Sequence, residues 1–117
     1  MAQTQPITNL RVFNAARELL RAVHHITQHV RFGDTTDQLR RAALSVVSNI
    51  AEGAGSGSDK RFANFLRIAR GSANELEAQL LILSDIGMIS VEHNAIQLAN
   101  SLGRQLSCFI QRLESSG

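Results

Sequence analysis

Gln38-Leu-Arg-Arg-Ala-Ala-Leu-Ser-Val-Val-Ser-Asn-Ile-Ala-Glu-Gly53, with the segment that follows it to Ile89, decides the fold. Leu39, Ala43, Val46 and Ile50 recur at spacings of three and four, the period of a helix with one buried face, and Ala42 and Val47 widen that face. Gly53-Ala-Gly-Ser-Gly-Ser58 breaks the pattern, because clustered glycine and serine favour a turn. Ser58 then stands as an N-cap, with Asp59 in the first turn of a longer helix that buries Phe62, Phe65, Leu66, Ala69, Ala73, Leu76, Leu80 and Leu83. Gly71-Ser72 in its middle costs about 1 kcal/mol of helix propensity and lets a neighbouring backbone come close. Gly87 is placed to end this helix in the left-handed conformation, with Ile89 folding back on the last turn.

Outward from this hairpin the same period continues. Phe13, Ala16, Leu20, Val23, Thr27 and Val30 form a stripe on a first helix, and Val12, Leu19 and Ile26 form a second stripe one residue earlier. Thr8 or Asn9 is the expected cap of that helix, and Gly33 its expected terminator. Thr35 or Thr36 is the expected cap of the second helix, with Asp37 in its first turn. Ser90 is the expected cap of a fourth helix, with Ala95, Leu98, Leu102, Phe109 and Leu113 facing the core. Residues 1–7 read as a disordered tail, and 8–115 as one domain with helices over about 9–31, 37–54, 59–86 and 91–114. Short connections between helices make antiparallel neighbours, so the expected fold is all-α, an up-down-up-down four-helix bundle.

Composition agrees with this reading. The chain has 117 residues, no Trp or Tyr, and a single Pro at position 6; it is rich in helix-forming Ala, Leu, Arg, Gln and Glu. Its one cysteine, Cys108, permits no intrachain disulfide, which suits a reducing compartment. The first residues lack a basic stretch followed by an apolar one, and the longest apolar run is Leu80–Leu83, far short of the roughly 20 residues needed to span a bilayer. A cytoplasmic protein with no membrane contact is expected. The charge is uneven: residues 1–72 carry ten Lys/Arg against five Asp/Glu, and 73–117 carry two against five. Such asymmetry can mark a nucleic-acid surface.

Catalytic and metal motifs are weak. Gly53-x-Gly55-x-Gly57 follows a helix where nucleotide-binding loops follow a strand, and Lys60 lacks the flanking Gly and Ser/Thr of a phosphate-binding loop. His25 and His29 share a helical side, but His24, His25 and His29 have no cysteine or carboxylate set beside them and read as a solvated face. Glu-x-x-His, the di-iron signature of some bundles, does not occur. No catalytic residue, metal or cofactor is therefore assigned. Arg17, Arg21, Arg40, Arg41, Lys60, Arg61, Arg67 and Arg70 are candidates for phosphate contact, since such contact needs only cations at matching spacing. The five Phe fit core or turn positions, so backbone and shape recognition is expected, without stacking on single-stranded bases.

The Gln38–Gly53 block, followed by Ser58-x-x-x-Phe62-x-x-Phe65-Leu66-x-Ile68-Ala69-x-Gly71-Ser72-x-x-Glu75-Leu76-Glu77, resembles the bacterial four-helix-bundle proteins encoded in intervening sequences of 23S ribosomal RNA genes. The similarity spans about residues 10–113. Ser56 and Gly57 stand where the family often has an Arg after Glu-Gly, and Val47 where it often has Pro. The resemblance implies a homopentameric ring. A similar protein type, the accessory variability determinant of diversity-generating retroelements, is a basic pentamer that binds RNA and a reverse transcriptase. On that basis Ser45, Asn49, Glu52, Gly71, Ser72 and Glu75 become a polar seam or subunit contact, with Asn49 and Glu52 expected to bond another helix or subunit. The expected function is non-enzymatic, low-specificity binding of structured RNA through basic helix faces. The alternative is a protein-interaction adaptor, for a reverse transcriptase or another RNA-handling protein.

Overall fold

The computed structural model describes residues 5–115. A 3₁₀ turn at Ile7–Asn9 precedes four helices: α1 (Arg11–His29), α2 (Asp34–Ala54), α3 (Asp59–Asp85) and α4 (Asn94–Ser115). Around the bundle α1 packs on α2, α2 on α3, α3 on α4 and α4 back on α1. The long axis is 45 Å, against about 40 Å for the 27 residues of α3 at 1.5 Å per residue.

Leu19, Val23, Leu39, Val46, Ile50, Leu66, Leu76, Leu80, Leu83, Leu102 and Leu106 fill the centre, and no polar or charged side chain among the described residues is buried with them. The α1 stripe is narrower than the expected face, and the α4 stripe is rotated from its expected phase. In α1 the buried line is Val12, Ala16, Leu19, Val23 and Ile26, with Phe13, Leu20 and Val30 half-buried beside it. In α4 it is Ala95, Ile96, Ala99, Leu102, Leu106 and Ile110, leaving Leu98, Phe109 and Leu113 at the margin. A helix that touches two neighbours buries about half its circumference, and a broad apolar face does not reveal its own centre line. Phe109 still meets the core, its ring edge-on to Phe62 at 5.1 Å between centroids.

The helix ends show where local chemistry rules and where it does not. Ser58 caps α3 as expected, its hydroxyl accepting from the Arg61 N–H at 3.2 Å. At the other end of α3, Gly87 (φ 81°) donates to Ser84 O and Met88 to Leu83 O, the paired bonds of a Schellman close. At α1 neither Thr8 nor Asn9 caps. The 3₁₀ turn consumes those residues, Leu10 takes the N-cap position, and Asn14 Nδ2 donates to Thr8 O at 2.8 Å. The expected tail over 1–7 lies outside the described residues at 1–4, while Ile7 belongs to the turn.

Gly33 ends nothing. Helix α1 stops at His29, and Gly33 (φ 54°) is the N-cap of α2, where the left-handed backbone reverses the chain within four residues. Thr35 and Thr36 therefore fall inside α2, Thr36 Oγ1 donating to Gly33 O at 3.2 Å. Asp34 and Asp37 both sit in the first turn, where negative charge is favoured. Helix α4 begins three residues later than expected because the Ser90 hydroxyl accepts from the Glu92 N–H and closes a separate turn. His93 is the cap instead, its Nδ1 accepting from the Ala95 N–H at 3.1 Å.

Candidate functional site

The eight candidate cations divide between opposite sides of the bundle. Arg21 from α1 and Arg40 and Arg41 from α2 meet in an open groove of about 940 Å³ between those helices. Leu20 and Leu44 line it with His24, His25 and Gln28. Leu44, 55% exposed, makes it amphipathic. Among the described residues Asp37 is the one carboxylate in the lining, and it pairs with Arg40 at 2.7 Å, while Arg21 and Arg41 form no ion pair there. Arg17 stands one turn before Arg21, over the Phe13 ring (5.6 Å) and bonded to Asn14 Oδ1 at 3.2 Å.

Lys60, Arg61, Arg67 and Arg70 of α3 do not join that groove. Arg67 and Arg70 turn toward α4. Arg67 forms an ion pair with Glu114 and bonds Asn64, and Arg70 Nη1 donates to Ser107 Oγ at 3.3 Å. Arg61 Nη1 donates to Ser56 O at 3.2 Å and braces the glycine-rich turn. Lys60 lines a smaller cleft that also holds Asp59 and Glu114. The phase of each arginine about α3, invisible in a count of charges, sends them to the α4 side.

The polar set Ser45, Asn49, Glu52, Gly71, Ser72 and Glu75 falls along the α2/α3 side. Ser45 and Ser72 hydroxyls meet at 3.0 Å and cross-link the two helices. Asn49 does not reach another helix: its Nδ2 donates to Ser45 O and Ser45 Oγ within α2. Glu52 is exposed, and its side chain bonds no other helix among the described residues. The carboxylate is too costly to desolvate at a two-helix contact that two hydroxyls already fill. Gly71 is exposed, and Glu75 accepts from Gln79, which also reaches Gln38 across the contact. Beside these groups stand Ile68 (53% exposed), Ile82 (54%) and Ile86 (50%), a row that sequence reading missed. Ile68, Glu75 and Ile82 are seven apart and hence on one face of α3.

His25 and His29 rings stack obliquely at 4.6 Å, and His24 bonds Gln28. Among the described residues no three His, Cys, Asp or Glu converge on a metal position. Burial, and then the proximity of His25, push the His93 imidazole below its ordinary 6.5. Phe32 stands in the α1–α2 turn as expected, but the turn leaves its ring 41% exposed. Three further arginines, Arg11, Arg104 and Arg112, gather in the groove between α1 and α4. Two of them come from the net-acidic part of the chain, so segment-averaged charge concealed them. No helix among the described residues is long and apolar enough to cross a membrane.

Comparison with known proteins places these features in context. The family described as 23S rRNA-intervening sequence protein matches residues 8–108, which include both the Gln38–Gly53 block and the α1/α2 groove. A crystal structure of a protein of unknown function from the S23 ribosomal protein family of Bacteroides thetaiotaomicron superposes with a TM-score of 0.79. It is 24% identical, and the alignment covers 85% of this chain and 97% of that one, a likeness of fold. No curated protein matches the chain significantly.

Proposed function

The chain belongs to the 23S rRNA-intervening sequence protein family, and from that membership we propose that it binds structured RNA with low sequence specificity and acts without catalysis of its own. The observation that carries this reading is the α1/α2 groove, where Arg21 and Arg41 face an open channel and form no ion pair among the described residues. Cations in such a place exchange condensed counterions of a nucleic acid for phosphate contacts, a gain that depends on backbone and not on base. Among the described residues the rings that line the groove are the imidazoles of His24 and His25, with no Phe beside them, so recognition rests on phosphate contact and the shape of a helical RNA more than on stacked single-stranded bases.

Assembly belongs to the same proposal. Copies associate through the α2/α3 side into a ring, of five as the resemblance implies, burying Ile68, Ile82 and Ile86 around the Ser45–Ser72 link. Exposed apolar side chains in a row favour a protein partner over water. The second reading draws on the same isoleucines: an adaptor that offers this face to a reverse transcriptase or another RNA-handling protein. The setting proposed for either activity is the cytoplasm. Fluorescence anisotropy with a labelled RNA hairpin, at 50 and 200 mM salt, tests the first reading. Affinity that falls steeply with salt and drops in Arg21→Gln/Arg41→Gln supports it; absence of binding at the lower salt refutes it and leaves the adaptor.

A further inference from the structure

On α4, Arg104 and Arg112 lie eight residues apart on one side of the helix, about 12 Å along its axis, with Cys108 between them. Arg11 approaches from the first turn of α1 to close a cleft of about 260 Å³. Its remaining polar wall is Ser101 and Gln105, tied to each other by a 3.1 Å bond, and among the described residues no carboxylate lines it; Asp59 lines the adjoining cleft that Arg11 and Arg112 share. Among the described residues the carboxylates paired with arginine lie elsewhere, Asp37 on Arg40 and Glu114 on Arg67. The Arg112 guanidinium packs over the Phe109 ring at 5.3 Å, which limits its freedom before any ligand arrives.

Three like charges around one cleft repel each other, and a bound anion relieves that repulsion. The first turn of α1 carries no acidic residue, so its dipole adds potential of the same sign. Planar guanidinium forks match the oxygens of a phosphate group in paired, charge-assisted hydrogen bonds. We infer that the α1/α4 groove is a binding site for a phosphate group, held by Arg11, Arg104 and Arg112. It lies between a different pair of helices from the α1/α2 groove, and it stands whether or not that groove holds RNA. The phosphate comes either from a phosphodiester backbone or from a small phosphorylated molecule; the chemistry of capture is shared.

The full chain is titrated with inorganic pyrophosphate and, separately, with an RNA hairpin, following the arginine side-chain N–H resonances by NMR. Saturable shifts at Arg104 and Arg112 are expected, with pyrophosphate binding weakened about tenfold or more in Arg104→Gln/Arg112→Gln, a loss of about 1.4 kcal/mol. All three arginines are exposed, so the variant keeps its helices, which circular dichroism verifies. If the same variant flattens the salt dependence of hairpin binding by about 1.8 in log–log slope, for two lost contacts, the phosphate is that of a polymer. If hairpin binding is unchanged while pyrophosphate binding is lost, the ligand is a small phosphorylated molecule. Arg104 and Arg112 resonances that respond to neither probe overturn the site. Equal binding by the variant and its parent overturns it as well.

Discussion

Replacing Gly53 with alanine pushes a methyl group into the crossing of α2 on α3. A Cβ there would lie 2.8 Å from Phe62 Cδ1, 2.9 Å from Phe65 Cβ and 3.3 Å from Phe62 O. Carbon atoms rest at about 3.5–4.0 Å, so the helices must separate or Phe62 must turn. Neither is cheap. Phe62 is 2% exposed and locked edge-on against Phe109, and Phe65 Cβ moves only with its backbone. Overpacking of this kind costs about 1–3 kcal/mol. The substitution also gains about 1 kcal/mol of helix propensity, so the net effect is a loss of up to about 2 kcal/mol. Gly71→Ala is the control: it has the same chemistry in the partner helix, but no neighbouring atom within 4 Å, and it should stabilise by about 1 kcal/mol. Propensity cancels in the difference between the two variants, leaving the packing cost of about 1–3 kcal/mol. Urea unfolding at dilute protein, where subunit contacts do not contribute, reads this as a shift in midpoint at constant m. Two variants that move the midpoint in the same direction by the same amount would refute the close α2–α3 approach.

Other outcomes follow from single contacts. A double-mutant cycle on Ser45→Ala and Ser72→Ala should return a coupling of about 0.5–1 kcal/mol in urea unfolding, and additive effects would remove the cross-link. The His93 imidazole is held below 6.5 by burial first and by His25 second, so the unfolded chain takes up its proton before the folded one. The stability contributed by neutral His93 is complete above pH 6.5 and is lost as pH falls below it; His93→Asn, which keeps an acceptor for the Ala95 N–H, should flatten that part of a pH–stability profile. Sedimentation of Ile68→Asp/Ile82→Asp should show the single chain where the parent forms a larger species; an unchanged species would place the subunit contact elsewhere.

The helices were legible because each carries its own period. The ends of α3 were legible because Ser58 and Gly87 act through bonds to residues within a turn. Gly33 starts α2 where it was expected to end α1, and Ser90 caps a turn where it was expected to cap α4, both for a tertiary reason. Several residues in each connection can cap, and the length of chain available to reverse direction chooses among them. The candidate site was legible as a set of side chains but not as a place. Arg21, Arg40 and Arg41 share a groove while Arg67 and Arg70 face α4, a distinction fixed by helix phase against neighbours. Ile82 illustrates the same limit. In sequence it continues the apolar run Leu80–Leu83, yet Leu80 and Leu83 are buried and Ile82 is 54% exposed.

The central claim is that RNA binds in the α1/α2 groove, and charge reversal on each side of the bundle tests it most directly. Affinity for an RNA hairpin is measured at low and physiological salt for Arg21→Glu/Arg41→Glu and, in parallel, for Arg67→Glu/Arg70→Glu. The account predicts a large loss of affinity and a shallower salt dependence for the first pair, and a much smaller loss for the second, whose arginines are turned toward α4. Equal losses from both pairs, or undiminished binding by the first, would contradict it.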